Sequence, residues 1–129
     1  MHLLATEYVK LYTDSLYLVD TYYRRACSNY KLIVYPSTEM EELIGIVDDV
    51  YQSKFLNLLG HEYSAALTLL GGWDFVGIDM NDGFYQRVQK NNYKKCFVII
   101  SDGLRYEIGH ELFEKIRVDS VLNGSEEIK

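Results

Sequence analysis

With 129 residues, 48% of them apolar and 25% charged, the chain has a globular composition and enough length for one domain with its own core. Its formal charge of −6 disfavours a general nucleic-acid binder, which carries a basic face, so no direct nucleic-acid contact is expected. No apolar run approaches the ~18 residues of a membrane span and no basic-then-apolar export segment opens the chain, so a cytoplasmic protein off the membrane is expected.

Helical spacing runs from about Ala5 to Asn29. Leu4, Tyr8, Leu11, Ser15, Leu18, Tyr22 and Ala26 trace one face, and Asp20 and Arg24 stand at i,i+4, the spacing of a surface ion pair. Pro36 interrupts the pattern, and Ser37-Thr38-Glu39-Met40-Glu41 carries helix-start chemistry: a hydroxyl cap and acids in the first turn. A second helical stretch covers about Glu39 to Leu70, with Gly60 expected to end or kink it. Asp48 and Asp49 diverge by about 100° on a helix, so they read as a solvated face and not a metal pair. Gly71-Gly72-Trp73 and Asn81-Asp82-Gly83 mark turns, with Trp73, Phe75, Ile78 and Met80 packing between them. Asn81 or Asp82 is then positioned to cap a helix over 84–91. Arg87, Lys90, Lys94 and Lys95 form a basic cluster that reads as a solvated loop. Twelve tyrosines against one proline suit long amphipathic helices with tyrosine rims.

Cys96-Phe97-Val98-Ile99-Ile100 is a short apolar run that stops at Ser101-Asp102-Gly103. This predicts a central strand buried on both faces in an otherwise mostly α chain. Leu104, Ile108, Leu112 and Ile116 recur every four residues, form one apolar stripe and predict a helix over 104–117, with Glu107, His110, Glu111 and Glu114 beside the stripe. Asp102 then sits where a buried strand turns into a helix, the edge at which open α/β sheets bind ligands. The commoner role of an aspartate there is helix N-cap. Cys27 and Cys96, without CxxC spacing, read as idle thiols.

Familiar catalytic signatures are absent. His61-Glu62 lacks the second histidine of HExxH, His110-Glu111 leads to Glu114, and there is no GxSxG elbow, GxGxxG or phosphate loop. A lone helix histidine among glutamates is more often part of a surface ion pair.

The segment Phe97-Val98-Ile99-Ile100-Ser101-Asp102-Gly103-Leu104-Arg105-Tyr106-Glu107, continued by Gly109 and Glu111-Leu112, resembles the signature of PglZ proteins. These are alkaline-phosphatase-superfamily members of bacterial BREX phage-defence systems. Their pattern is a hydrophobic strand, Ser-Asp-Ala-Leu-Arg-Tyr-Glu, and a helix. Gly103 stands where Ala is usual, a mild change read as loosening the turn. Tyr17-Leu18-Val19-Asp20, Tyr22-Tyr23-Arg24 and the loop around Trp73 are similar to the family as well.

The resemblance implies a helical region over 1–92, then the first strand-helix unit of an α/β phosphatase domain over 93–129. It implies that Asp102 holds one of two divalent metals, usually zinc, for phosphoric- or sulfuric-ester hydrolysis. Glu107 suits packing or hydrogen bonding better than ligation. In the family the nucleophilic hydroxyl and the other ligands lie further along, and no such segment follows Glu114. The expectation is a fragment of a larger hydrolase that acts with other phage-defence proteins, inactive and without tight metal binding by itself. Its unpaired strand edges predict a homodimer of the fragment or refolding of that segment as helix. Two rivals stand beside it. One is a helical interaction module in which Asp102 only caps; the other is a small intact enzyme whose missing ligands come from a second copy.

Overall fold

In the computed structural model, residues 3–72, 83–91, 95 and 97–122 are described. Two long helical rods dominate. The first joins α1 (Ala5–Leu11) to α2 (Tyr17–Lys31) through a π-helical turn at Tyr12–Leu16. The second joins α3 (Thr38–Val50) to α4 (Asn57–Leu70) through a π-helical turn at Tyr51–Leu56. The rods pack antiparallel, α1 on α4 and α2 on α3. A short α5 (Phe84–Lys90) follows, and α6 (Tyr106–Leu122) docks on α2.

Local chemistry accounts for the rod ends. Ser37 caps α3 as its spacing predicts, its hydroxyl accepting the Met40 N–H at 3.4 Å, with Glu39 and Glu41 in the first turn. The Glu7 carboxylate accepts the Leu4 N–H at 2.6 Å and closes the start of α1. Gly71 ends α4 in the left-handed region at φ 76°, its N–H on the Leu67 carbonyl at 3.1 Å. Gly60 does not end the helix. It lies inside α4, where the neighbouring turns carry the hydrogen-bond ladder past it.

The expected central buried strand is not present. Phe97–Ile100 form no strand among the described residues, and Phe97, Ile99 and Ile100 are 81%, 92% and 91% exposed. A strand needs a partner edge to satisfy its backbone and a layer to cover its side chains, and neither rod supplies one. The described fold is therefore all helical. Cys96, Trp73, Phe75, Ile78, Met80, Asn81, Asp82 and Lys94 lie outside the described residues.

The apolar stripe that runs from Leu104 into α6 is left open: Leu104, Leu112 and Ile116 are each about half exposed. The face turned toward α2 is polar, with Glu107 fully buried and His110, Glu111 and Glu114 partly covered. The buried interior is correspondingly small and mixed, with Asp20, Thr21 and Glu107 buried beside Ala5, Tyr51 and Ala66. The accessible surface is 11,016 Å², against about 7,000 Å² for a compact monomer of this mass. Among the described residues the core is therefore thin for a chain of this length.

Candidate functional site

The polar interior is built around α2. Asp20 is buried, and its two oxygens accept hydrogen bonds from two tyrosines: Tyr12 on Oδ2 at 2.5 Å and Tyr51 on Oδ1 at 2.5 Å. Each tyrosine is the first residue of a π-helical turn, one in each rod. In a regular α-helix the eight positions from Tyr12 to Asp20 would leave the two side chains about 80° apart, and the extra residue of a π-turn takes up that offset. Both hydroxyls are held protonated. Burial first, and the bond to Asp20 second, raise Tyr51 to about 12 and lift Tyr12 well above the ordinary tyrosine value. Tyr51 also stacks on Tyr23, with ring centroids 3.7 Å apart and planes 2° from parallel, and the Tyr23 hydroxyl donates to Asp48.

Four residues beyond Asp20 on α2, Arg24 reaches α6. Its Nε donates to both oxygens of Glu107, at 3.1 and 3.0 Å, and its Nη2 lies 2.9 Å from Oε2. The same Nη2 donates to Glu111 at 2.7 Å. Asp20 and Arg24 therefore do not form the i,i+4 surface pair expected from their spacing; each binds a different element. Glu111 also meets Arg25 at 3.4 Å and Lys115 at 3.3 Å. The Arg24 hydrogen bond, then that of Lys115, holds its carboxyl down at about 2. Tyr106 completes the contact. Its ring stands edge-on to Tyr12 and Tyr17 at 5.9 and 5.5 Å, and its hydroxyl donates to the Thr13 carbonyl at 3.3 Å. His110, expected in a surface ion pair, lies against the Tyr17 ring at 4.7 Å.

Asp102 sits apart from this network. It is exposed in a turn ahead of α6, with Gly103 in the left-handed region at φ 71°. It does not cap α6, because the Arg105 carbonyl takes the first helical amides, from Ile108 at 3.1 Å and Gly109 at 3.0 Å. No group of three His, Cys, Asp or Glu able to hold a metal occurs among the described residues. A zinc site takes three or four protein donors, so Asp102 offers one hard oxygen and the described residues do not complete a site. The geometry brings Asp20, Arg24, Glu107 and Glu111 together. Of these, Arg24 and Asp20 carry no sequence signal for their partners, since the contacts cross 83 and 31 positions of chain.

An open cavity of about 600 Å³ lies beside the Asp20 cluster, lined by Tyr12, Asp20, Tyr23, Tyr51, Arg105 and Tyr106. A second, of about 650 Å³, runs between α2 and α6 past Tyr17, Arg25, His110 and Glu111. The motif residues Tyr106 and Glu107 thus serve contacts within the chain.

Two known proteins align with most of this chain. It is 28% identical over 120 residues to the alkaline phosphatase-like protein BrxZ of Escherichia coli O9:H4 (strain HS). It is 29% identical over 115 residues to the alkaline phosphatase-like protein PglZ of Bacillus cereus (strain H3081.97). Each alignment covers 85% of the chain. The chain is thus similar to two PglZ-type proteins over most of its own length. It spans 14% of the length of the first of these proteins and 13% of the second. No family model and no solved structure matches it. The docking of Tyr106-Glu107 onto α2 joins two of the stretches in which the sequence resembles PglZ proteins. No helix among the described residues is long and apolar enough to cross a membrane.

Proposed function

We propose that this chain works as one segment of a PglZ-like phage-defence protein whose whole is a metal-dependent hydrolase of phosphoric esters. Residues 1–92 form its helical platform, and 93–129 begin the hydrolase domain. Asp102 contributes one carboxylate to a divalent metal, zinc by the family resemblance, whose other ligands come from beyond this segment. The chain by itself is inactive, and the whole protein acts with other phage-defence proteins in the cytoplasm. One observation carries this reading: the Arg24–Glu107 contact fastens the motif to the platform while Asp102 stays uncovered at the turn. The half-exposed apolar stripe of α6 and the exposed Phe97–Ile100 supply the surface that a larger domain would cover.

Zinc calorimetry tests the assignment of Asp102. The full-length protein should bind zinc, and Asp102→Asn should weaken binding roughly tenfold or more. Tight zinc binding by this chain alone, or an unchanged affinity in the full-length variant, would count against it.

A second reading, a helical interaction module without chemistry, is favoured by the engagement of Tyr106, Glu107 and Glu111 in internal contacts. It predicts that Asp102→Asn changes neither metal affinity nor activity of the whole protein.

A further inference from the structure

We propose that Arg24 is a positioning residue for the Asp102 turn. The proposal rests on the reading of Asp102 given above and adds the device that sets where its carboxylate stands. The segment from Phe97 to Arg105 is exposed and has no partner strand among the described residues, so its placement depends on the start of α6. That start is held from α2 and from the π-turn before it. The Tyr106 hydroxyl is on the Thr13 carbonyl, and the Tyr106 ring stands against Tyr12 and Tyr17. Glu107, with no solvent exposure, spends both oxygens on the Arg24 Nε.

The same guanidinium reaches Glu111 one helical turn later. Two carboxylates at i,i+4 held by one planar cation fix the rotation of α6 about its axis as well as its distance from α2. A lysine, a point charge on a flexible stem, supplies the charge but not that fork. Arg24 is itself immobilised, because Asp20, one turn before it on α2, is tied to both rods through Tyr12 and Tyr51. A continuous polar path therefore runs from the second rod, through Asp20 and α2, to the residues just after the turn. A helix is rigid over one turn, so fastening Glu107 leaves only the residues from Gly103 to Tyr106 between the anchor and Asp102.

The test uses the full-length protein with Arg24→Gln, Arg24→Lys, Asp102→Asn and, as an ion-pair control within α6, Arg117→Gln. Amide exchange is followed in 101–109 against 38–50 as internal reference, and hydrolysis of an aryl phosphate ester is resolved into kcat and KM. Arg24→Gln should speed exchange in 101–109 about tenfold or more, leave 38–50 unchanged, and lower kcat with little change in KM. Arg24→Lys should fall between it and the parent, and Arg117→Gln should match the parent. Unchanged exchange in 101–109, or equal acceleration in 38–50, would overturn the positioning role. If exchange rises locally but Asp102→Asn leaves kcat intact, the assignment of Asp102 falls and the catalytic side of the proposal falls with it, while the hold of Arg24 on the turn stands.

Discussion

Asp20 and Glu107 are carboxylates buried at the contacts between helices, and each is satisfied by donors from another part of the fold. A buried acceptor deprived of one partner costs about 1–3 kcal/mol, which sets the scale for Tyr51→Phe. That substitution removes the hydroxyl while leaving the ring to stack on Tyr23. Chemical denaturation should show a loss of about 1–3 kcal/mol. A change within about 0.5 kcal/mol would mean that Asp20 is otherwise satisfied.

The same groups shape the pH dependence. Tyr51 is raised to about 12 in the folded chain, so its contribution to stability is fully present below about pH 10, the unfolded value, and is lost as pH rises through 12. Glu111 is depressed to about 2, so its contribution is present above about pH 4.5 and is lost as pH falls through 2. Glu111→Gln should flatten the acid limb and Tyr51→Phe the alkaline limb of a stability-versus-pH curve; the reverse assignment would refute both.

At the scale of elements, helices were legible wherever local chemistry decides them. Ser37 capped the helix it was expected to cap, and both long periodic stretches are helical. The misreadings occur where partners decide. Cys96–Ile100 has the composition of a buried strand, but composition supplies neither a second strand nor a covering layer. The Leu104–Ile116 stripe has the spacing of a core face, yet Glu107 and Glu111 find Arg24, and that pairing turns the stripe outward. The π-turns at Tyr12 and Tyr51 left no mark in the periodicity, because three-or-four spacing continues on both sides of the insertion although the extra residue turns the face by about 100°.

Gly103 stands where Ala is usual in the family that the sequence resembles. At φ 71° it occupies backbone space that Ala enters at a cost of about 1–2 kcal/mol. Gly103→Ala should therefore destabilise the chain by about 1 kcal/mol, read by thermal or urea unfolding. A stabilised variant would show that this turn takes a right-handed form instead.

At the scale of the whole molecule, the chain leaves more apolar surface open than a self-sufficient domain does. Phe97, Ile99 and Ile100 on one segment and Leu112 and Ile116 on α6 are available for burial elsewhere. Ile99→Lys with Ile116→Lys should change the stability of this chain by no more than about 0.5 kcal/mol, as exposed positions do. In the full-length protein the same pair should lower the melting temperature by several degrees, roughly what losing 1–3 kcal/mol of buried surface costs a domain. Equal tolerance in both would show that this surface stays open. If the isolated chain self-associates through Phe97–Ile100, the mass in solution should rise with concentration for the parent and not for the double variant.

The most direct test is zinc- or manganese-dependent hydrolysis of an aryl phosphate ester by three proteins side by side: this chain, the full-length protein, and the full-length Asp102→Asn variant. A segment that contributes one carboxylate to a larger metal site predicts no turnover by the chain, turnover by the full-length protein, and its loss on substitution. Metal-dependent turnover by the chain alone, or full activity in the Asp102→Asn protein, would contradict it.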